Sequence, residues 1–112
     1  MIEALWSLEF ISNVNSHGMG VAVIETGRLL GGDSAYMYIG NVRVENSTVH
    51  VNIKVTKYNE GSPLQSIFGP LKVFNLEASG PLNGTDIILS GHMVENSAMT
   101  IRIRAVRRAE LP

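Results

Sequence analysis

The chain has 112 residues, no cysteine, nine basic and ten acidic residues, and a formal net charge of −1. A single domain of this size holds one ordinary core. The missing cysteines exclude disulfides and thiolate metal sites, and the balanced charge excludes a global field that would draw the chain to nucleic acid or an anionic membrane. Charged residues are 17% of the chain and apolar ones 45%. Part of the surface is therefore expected to be covered by a second subunit, or part of the interior to hold an apolar ligand.

The opening residues, MIEALWSLEF, have neither the basic start nor the unbroken apolar run of a signal peptide. No apolar run approaches the roughly 20 residues that span a bilayer. The expected setting is cytoplasmic, without membrane contact. The first strand is Ala4–Ser12, with Trp6, Leu8 and Phe10 on one face and Ser7 and Glu9 on the other. Residues 13–18 form a turn region, and residues 19–25 the second strand. In that strand Gly20 and Ala22 leave one face nearly bare, so a neighbouring backbone or a large ring can sit close. Thr26-Gly27 is a hairpin turn, residues 28–30 a short third strand, and Gly31-Gly32-Asp33 a further turn. Asp33 is expected to fix that turn by accepting hydrogen bonds from nearby backbone N–H groups.

Residues 34–58 read SAYMYIGNVRVENSTVHVNIKVTKY and form the centre of the pattern. Tyr36, Tyr38, Val42 and Val44 share one face, with Gly40 between them. Val49, Val51, Ile53 and Val55 share the dry face of the next strand, opposite Thr48, His50, Asn52, Lys54 and Thr56. Strict alternation on both sides of a polar break at residues 45–47 predicts a long antiparallel hairpin. Residues 63–68 are predicted to form one helical turn, capped by Ser62, begun by Pro63 and stopped at Gly69-Pro70. Residues 71–78, 86–95 and 98–108 complete eight strands, the last with Met99, Ile101, Ile103 and Ala105 inward. Asn96-Ser97 is the tight turn before it.

Eight strands joined mostly by short turns predict an all-β, up-and-down antiparallel barrel. A two-sheet sandwich is the alternative, but its crossings need long connections, which only residues 59–70 and 79–84 could supply. Trp6, Leu8, Phe10, Tyr36, Tyr38, Val51 and Ile53 are the candidate lining of an interior cavity, and packing as plain core is their other role. The glycines Gly18, Gly20, Gly31, Gly32 and Gly40, with Asp33, are assigned structural roles at turns and close approaches. No cofactor is implied. The histidines 17, 50 and 92 lack metal-ligand spacing. No nucleophile, acid–base pair or dinucleotide fingerprint is present, which points away from an enzyme. Arg102, Arg104, Arg107 and Arg108 have no interleaved aromatics, so direct nucleic-acid binding is not expected. Outward-facing methionines among Met19, Met37, Met93 and Met99 would suit a dimer interface.

Phe10-Ile11-Ser12-Asn13, Gly18, Gly20, Gly31-Gly32-Asp33, Gly40 and Lys57-Tyr58-Asn59 form an ordered series. In order and spacing it resembles the GrlR-like family, negative regulators of type III secretion genes in enteric pathogens. The resemblance covers the first half of the chain; the second half shares only length and strand pattern. It implies a lipocalin-like barrel that forms a homodimer and regulates by binding a transcriptional activator protein. It also implies a partner-binding loop between the two long strands, here Glu45, Asn46, Ser47 and Thr48. Four acidic residues stand in that loop in the family's best-known member, whereas here Glu45 alone is acidic. The alternative that the barrel suggests is binding of a small lipid-like ligand.

Overall fold

The computed structural model describes residues 2–112. Eight strands follow in chain order: β1 (Ala4–Ser12), β2 (His17–Glu25), β3 (Arg28–Gly32), β4 (Tyr36–Glu45), β5 (Thr48–Lys57), β6 (Val73–Pro81), β7 (Asp86–Met93) and β8 (Thr100–Ala109). Each pairs antiparallel with its chain neighbours, and β8 pairs back onto β1, so the sheet is a closed up-and-down barrel. It is flattened, with extents of 36 × 31 × 20 Å, and its two walls meet over side chains instead of enclosing a wide lumen.

The predicted faces hold. Trp6, Leu8, Phe10, Tyr36, Tyr38, Val49, Val51, Ile53, Val55, Ile101, Ile103 and Ala105 are all buried. Their alternation with polar neighbours places one side of each strand inside and the other in solvent. The two-residue turns follow their chemistry. Thr26 and Gly27 lie at φ 49° and 76°, and Asn46 and Ser47 at 49° and 61°. Two successive left-handed residues match the twist of the strands they join.

Three expectations are corrected. Residues 63–68 form no helix. Ser66 and Gly69 close a tight bridge instead, with Ser66 N–H to Gly69 O at 3.1 Å and Gly69 N–H to Ser66 O at 3.0 Å. The Ser62 and Ser66 hydroxyls take the Leu64 and Phe68 N–H groups, so the local polar side chains compete with helical bonding and win. Gly18, Gly31 and Gly32, expected in turns, are paired strand residues: Gly18 faces Phe10, while Gly31 and Gly32 bridge β2 and β4. The last tight turn lies one residue later than expected, closed by Met99 N–H on Asn96 O at 3.0 Å.

Close approach requires glycine at positions 40 and 20. A Cβ on Gly40 would collide with the Asn52 carbonyl of β5, and one on Gly20 would enter the Tyr38 ring and come within 2.9 Å of Gly32 O. The bare inner face of β2 is therefore filled by Tyr38, as the Gly20/Ala22 pattern suggested. Elsewhere carboxylates extend the sheet. Beyond Met93, Glu95 accepts the Asn75 N–H at 2.9 Å and its Nδ2 at 2.7 Å, continuing the β6–β7 seam by side chain. Asp86 at the start of β7 accepts from Arg104 on β8, with Nη2 at 2.9 Å.

Gly40→Ala is expected to cost about 1–3 kcal/mol, because backbone has to move to admit the methyl group; a lower urea midpoint at unchanged slope checks it. Asn75 holds the Glu95 carboxyl below the usual range, and Arg104 does the same for Asp86. A depressed folded-state pKa contributes stability above the unfolded value of about 4 that is lost as pH falls through the folded value. Urea midpoints measured between pH 5 and pH 2 should therefore fall less steeply in a Glu95→Gln/Asp86→Asn double variant than in the parent protein.

Candidate functional site

Three places on the barrel carry unusual features: one mouth, the tip of the β4–β5 hairpin, and the outer wall of β2, β3 and β4.

The mouth is crossed by residues 59–72. Lys57 N–H bonds to Lys72 O at 2.7 Å where the segment leaves and returns. The Lys57 ammonium donates to the carbonyls of Ser62 and Leu64, both at 3.1 Å. Phe68 drops into the barrel and packs edge-on against Phe74, with ring centroids 5.6 Å apart. Ile67 lies over Gly18, where a Cβ would stand 3.3 Å from its Cγ2. The segment's apolar residues thus plug this end.

Asp33 ties the mouth together. Its Oδ1 accepts from Ala35 N–H at 2.8 Å and Tyr36 N–H at 2.7 Å, which fixes its own turn as expected. Its Oδ2 accepts from the Tyr38 hydroxyl at 2.5 Å, and its carbonyl accepts from the Tyr58 hydroxyl at 2.7 Å. The Tyr36 hydroxyl donates to Leu71 O at 2.8 Å, binding the plug to β4. Burial, and then the carboxylate beside it, push the Tyr38 phenol well above its ordinary value.

Under the plug lies a cavity of about 70 Å³, with His17, Asp33, Gln65 and Ser66 among its lining residues. Of the seven expected lining residues, Phe10, Tyr36 and Tyr38 face it. Leu8, Val51 and Ile53 line a separate void of about 20 Å³ deeper in the barrel. Trp6 lines neither; it is wholly buried, and its indole N–H donates to Ile2 O at 2.8 Å. An apolar cavity of about 150 Å³ is needed to take benzene, and ligand pockets run from about 300 Å³. With the plug in place, the interior holds nothing the size of a lipid.

The hairpin tip carries Glu45, Asn46, Ser47 and Thr48. Glu45 is neutralised by Arg43 on the same strand, so the loop presents almost no net charge. Ser47 O accepts from Leu82 N–H at 2.8 Å, tying the tip to the β6–β7 loop.

The outer wall is apolar where it should be polar. Val21, Gly32 and Met37 form one crosswise row, and Val23, Leu30 and Ile39 the next. Met19 is 68% exposed, Val21 52%, Ile39 50% and Leu30 47%. Of the four methionines considered for a dimer interface, Met19 and Met37 face out, Met93 is buried, and Met99 packs half-buried against the core. The aliphatic members of the wall were not singled out from sequence. Their signal is the run from Met19 to Ile24, where Met19, Val21 and Val23 are apolar on the face opposite Gly20, Ala22 and Ile24.

Three of the four arginines of β8 are taken up in stitching, while Arg102 stands on the exposed face. Arg104 bonds Asp86, Arg108 Nε bonds Ser7 Oγ at 2.8 Å, and Arg107 reaches Glu3 O at 3.4 Å. His50 and His92 lie on the outer wall of β5 and β7, where His92 Nδ1 meets Met93 O at 3.0 Å and Nε2 stands 3.8 Å from Glu77. Among the described residues no three His, Asp or Glu side chains come together to hold a metal ion. Among the described residues no helix is long and apolar enough to cross a membrane.

A raised folded-state pKa on Tyr38 makes its stability contribution complete below the unfolded value of about 10 and lost as pH rises beyond it. Tyr38→Phe should flatten the loss of stability between pH 9 and pH 11. At neutral pH it should cost about 1–3 kcal/mol, since Asp33 Oδ2 loses its donor. Urea titrations across that range check both outcomes. The sequence matches no protein-family model and no curated protein.

Proposed function

We propose that this chain is a non-enzymatic regulatory protein that acts by binding other proteins with the outside of its barrel, and that the β2–β4 wall pairs with a second copy. The observation that carries this is an apolar wall on a barrel whose interior is already filled. Met19, Val21, Leu30, Met37 and Ile39 are all exposed on neighbouring strands, and a contiguous exposed apolar patch of this kind marks a protein interaction surface. Glu9 and Lys54 flank the wall on opposite sides, paired in register with Met19 and Ile39. A two-fold axis along the strands brings the acidic flank of one copy toward the basic flank of the other.

The resemblance to negative regulators of type III secretion supports a cytoplasmic role on a transcriptional activator, with the homodimer presenting the hairpin loops. A second reading draws on the cavity under the plug: a small lipid-like ligand that enters when residues 59–72 lift. Native mass spectrometry of freshly purified protein would then show a co-purifying ligand, and an unliganded mass throughout would reject it.

Sedimentation equilibrium should give a dimer for the parent protein. A Met37→Lys/Ile39→Lys variant should be monomeric, since each lysine places a charge at the centre of the contact, with a loss of tenfold or more in affinity at over 1 kcal/mol per residue. A parent protein that stays monomeric at all concentrations would overturn the assignment of the wall.

A further inference from the structure

β3 is five residues long and β4 is ten, so the two part company before β4 ends. The β3–β4 ladder stops at Arg28 and Asn41. The next bond on that side, Val42 N–H to Gly27 O at 2.9 Å, comes from the β2–β3 turn. β4 runs on to Glu45, paired through Thr48 with β5 on its other side alone. Hydrogen bonds along an antiparallel strand alternate sides. Val42 N–H points away from β5, so the N–H and C=O of Val44, two residues on, point away as well. Neither has a partner among the described residues. The Val44 side chain is 42% exposed although it belongs to the inner face, because the hairpin projects past the neighbouring turn. Unpaired backbone, an exposed apolar side chain and a flanking pair of opposite charges thus meet at one edge.

We propose that this edge takes an extended segment of a partner protein by strand addition, and that the segment reads basic, apolar, acidic. The proposal rests on the protein-binding reading above and specifies how the hairpin loop makes its contact. Added strands gain affinity from main-chain bonds and selectivity from alternate side chains. In antiparallel register centred on Val44, the apolar residue of the segment exchanges both hydrogen bonds with Val44. The residue before it lies across from Glu45, and the residue after it across from Arg43. Opposite charges at those two places are favourable cross-strand pairs. Arg43 and Glu45 already neutralise one another, so charge selects the segment while backbone holds it. The same order occurs in this chain as Arg43-Val44-Glu45, which makes a second copy the competing occupant.

The test is a titration of isotope-labelled full-length protein, followed by amide shifts and hydrogen exchange. The probes are the capped peptide Thr-Lys-Val-Glu-Thr and its charge-reversed twin Thr-Glu-Val-Lys-Thr. In dilute protein the Val44 amide should exchange freely. The first peptide should protect it, shift residues 43–46, and bind about 2–5-fold tighter than its twin, as exposed ion pairs allow. Arg43→Glu/Glu45→Arg should reverse that preference. Val44→Pro, which edge positions tolerate, should abolish the peptide-induced shifts at residues 43, 45 and 46 while the other strand amides keep their protection. A Val44 amide already protected in dilute protein would overturn the proposal. So would shifts gathered on the β2–β4 wall, or no response to either peptide at millimolar concentration. Protection that grows with protein concentration alone gives the edge to a second copy and overturns the partner assignment. Met37→Lys/Ile39→Lys should leave peptide binding intact, so failure at the wall and failure at the edge are read separately.

Discussion

Closure of the sheet by the β1–β8 ladder is the constraint on which everything else rests. Eight one-sided strands in an open sheet would leave two long rows of unpaired backbone and an apolar face without cover. Pairing Leu5–Ser12 with Ile101–Ala109 removes both problems at once, with a shift in register at Leu5 and Trp6 that bends the strands together. Closing so few strands over bulky side chains forces neighbouring backbones close together. That is why inner positions such as Gly20 and Gly40 cannot carry a Cβ.

The same geometry decides what the interior can do. A flattened ring lets Tyr38 lie across the bare stripe of β2 and reach Asp33, and Asp33 in turn fixes the start of β4. With Phe68 and Ile67 supplied from the crossing segment, the mouth is filled by the chain itself. The interior is filled, and on the outside of the barrel two features break the usual rules for a solvated sheet. One is the apolar wall of β2–β4. The other is the short stretch of β4 that outruns its neighbour.

Both features trace to the middle of the chain. β3 begins only at Arg28, after the Thr26-Gly27 turn, while β4 runs on past Asn41 to Glu45, and this mismatch leaves β4 uncovered near the hairpin tip. The wall is apolar because β2 has aliphatic residues on both faces, so its outer face cannot be told from its inner face by alternation. With Glu45 answered by Arg43, the tip carries almost no net charge beside its exposed backbone and the Val44 side chain.

The sequence by itself determined an all-β chain of eight strands and the faces of the central ones, and the β1–β8 pairing decided the closed barrel over the two-sheet alternative. Period-two alternation is local, and an error of one residue would have reversed every face, so residues 36–57 could be assigned without knowing their neighbours. It also determined the Asp33 turn and the two-residue hairpins, whose chemistry lies within a few residues. Tertiary structure alone decided the rest. The path of residues 59–72 depends on contacts with Phe74, Tyr36 and Gly18, so a locally plausible helix gave way to a plug. The size of the cavity depends on how far the ring flattens. The wall and the free edge depend on which strands lie side by side and where each one stops, and relative strand length across a sheet is not written in any single strand.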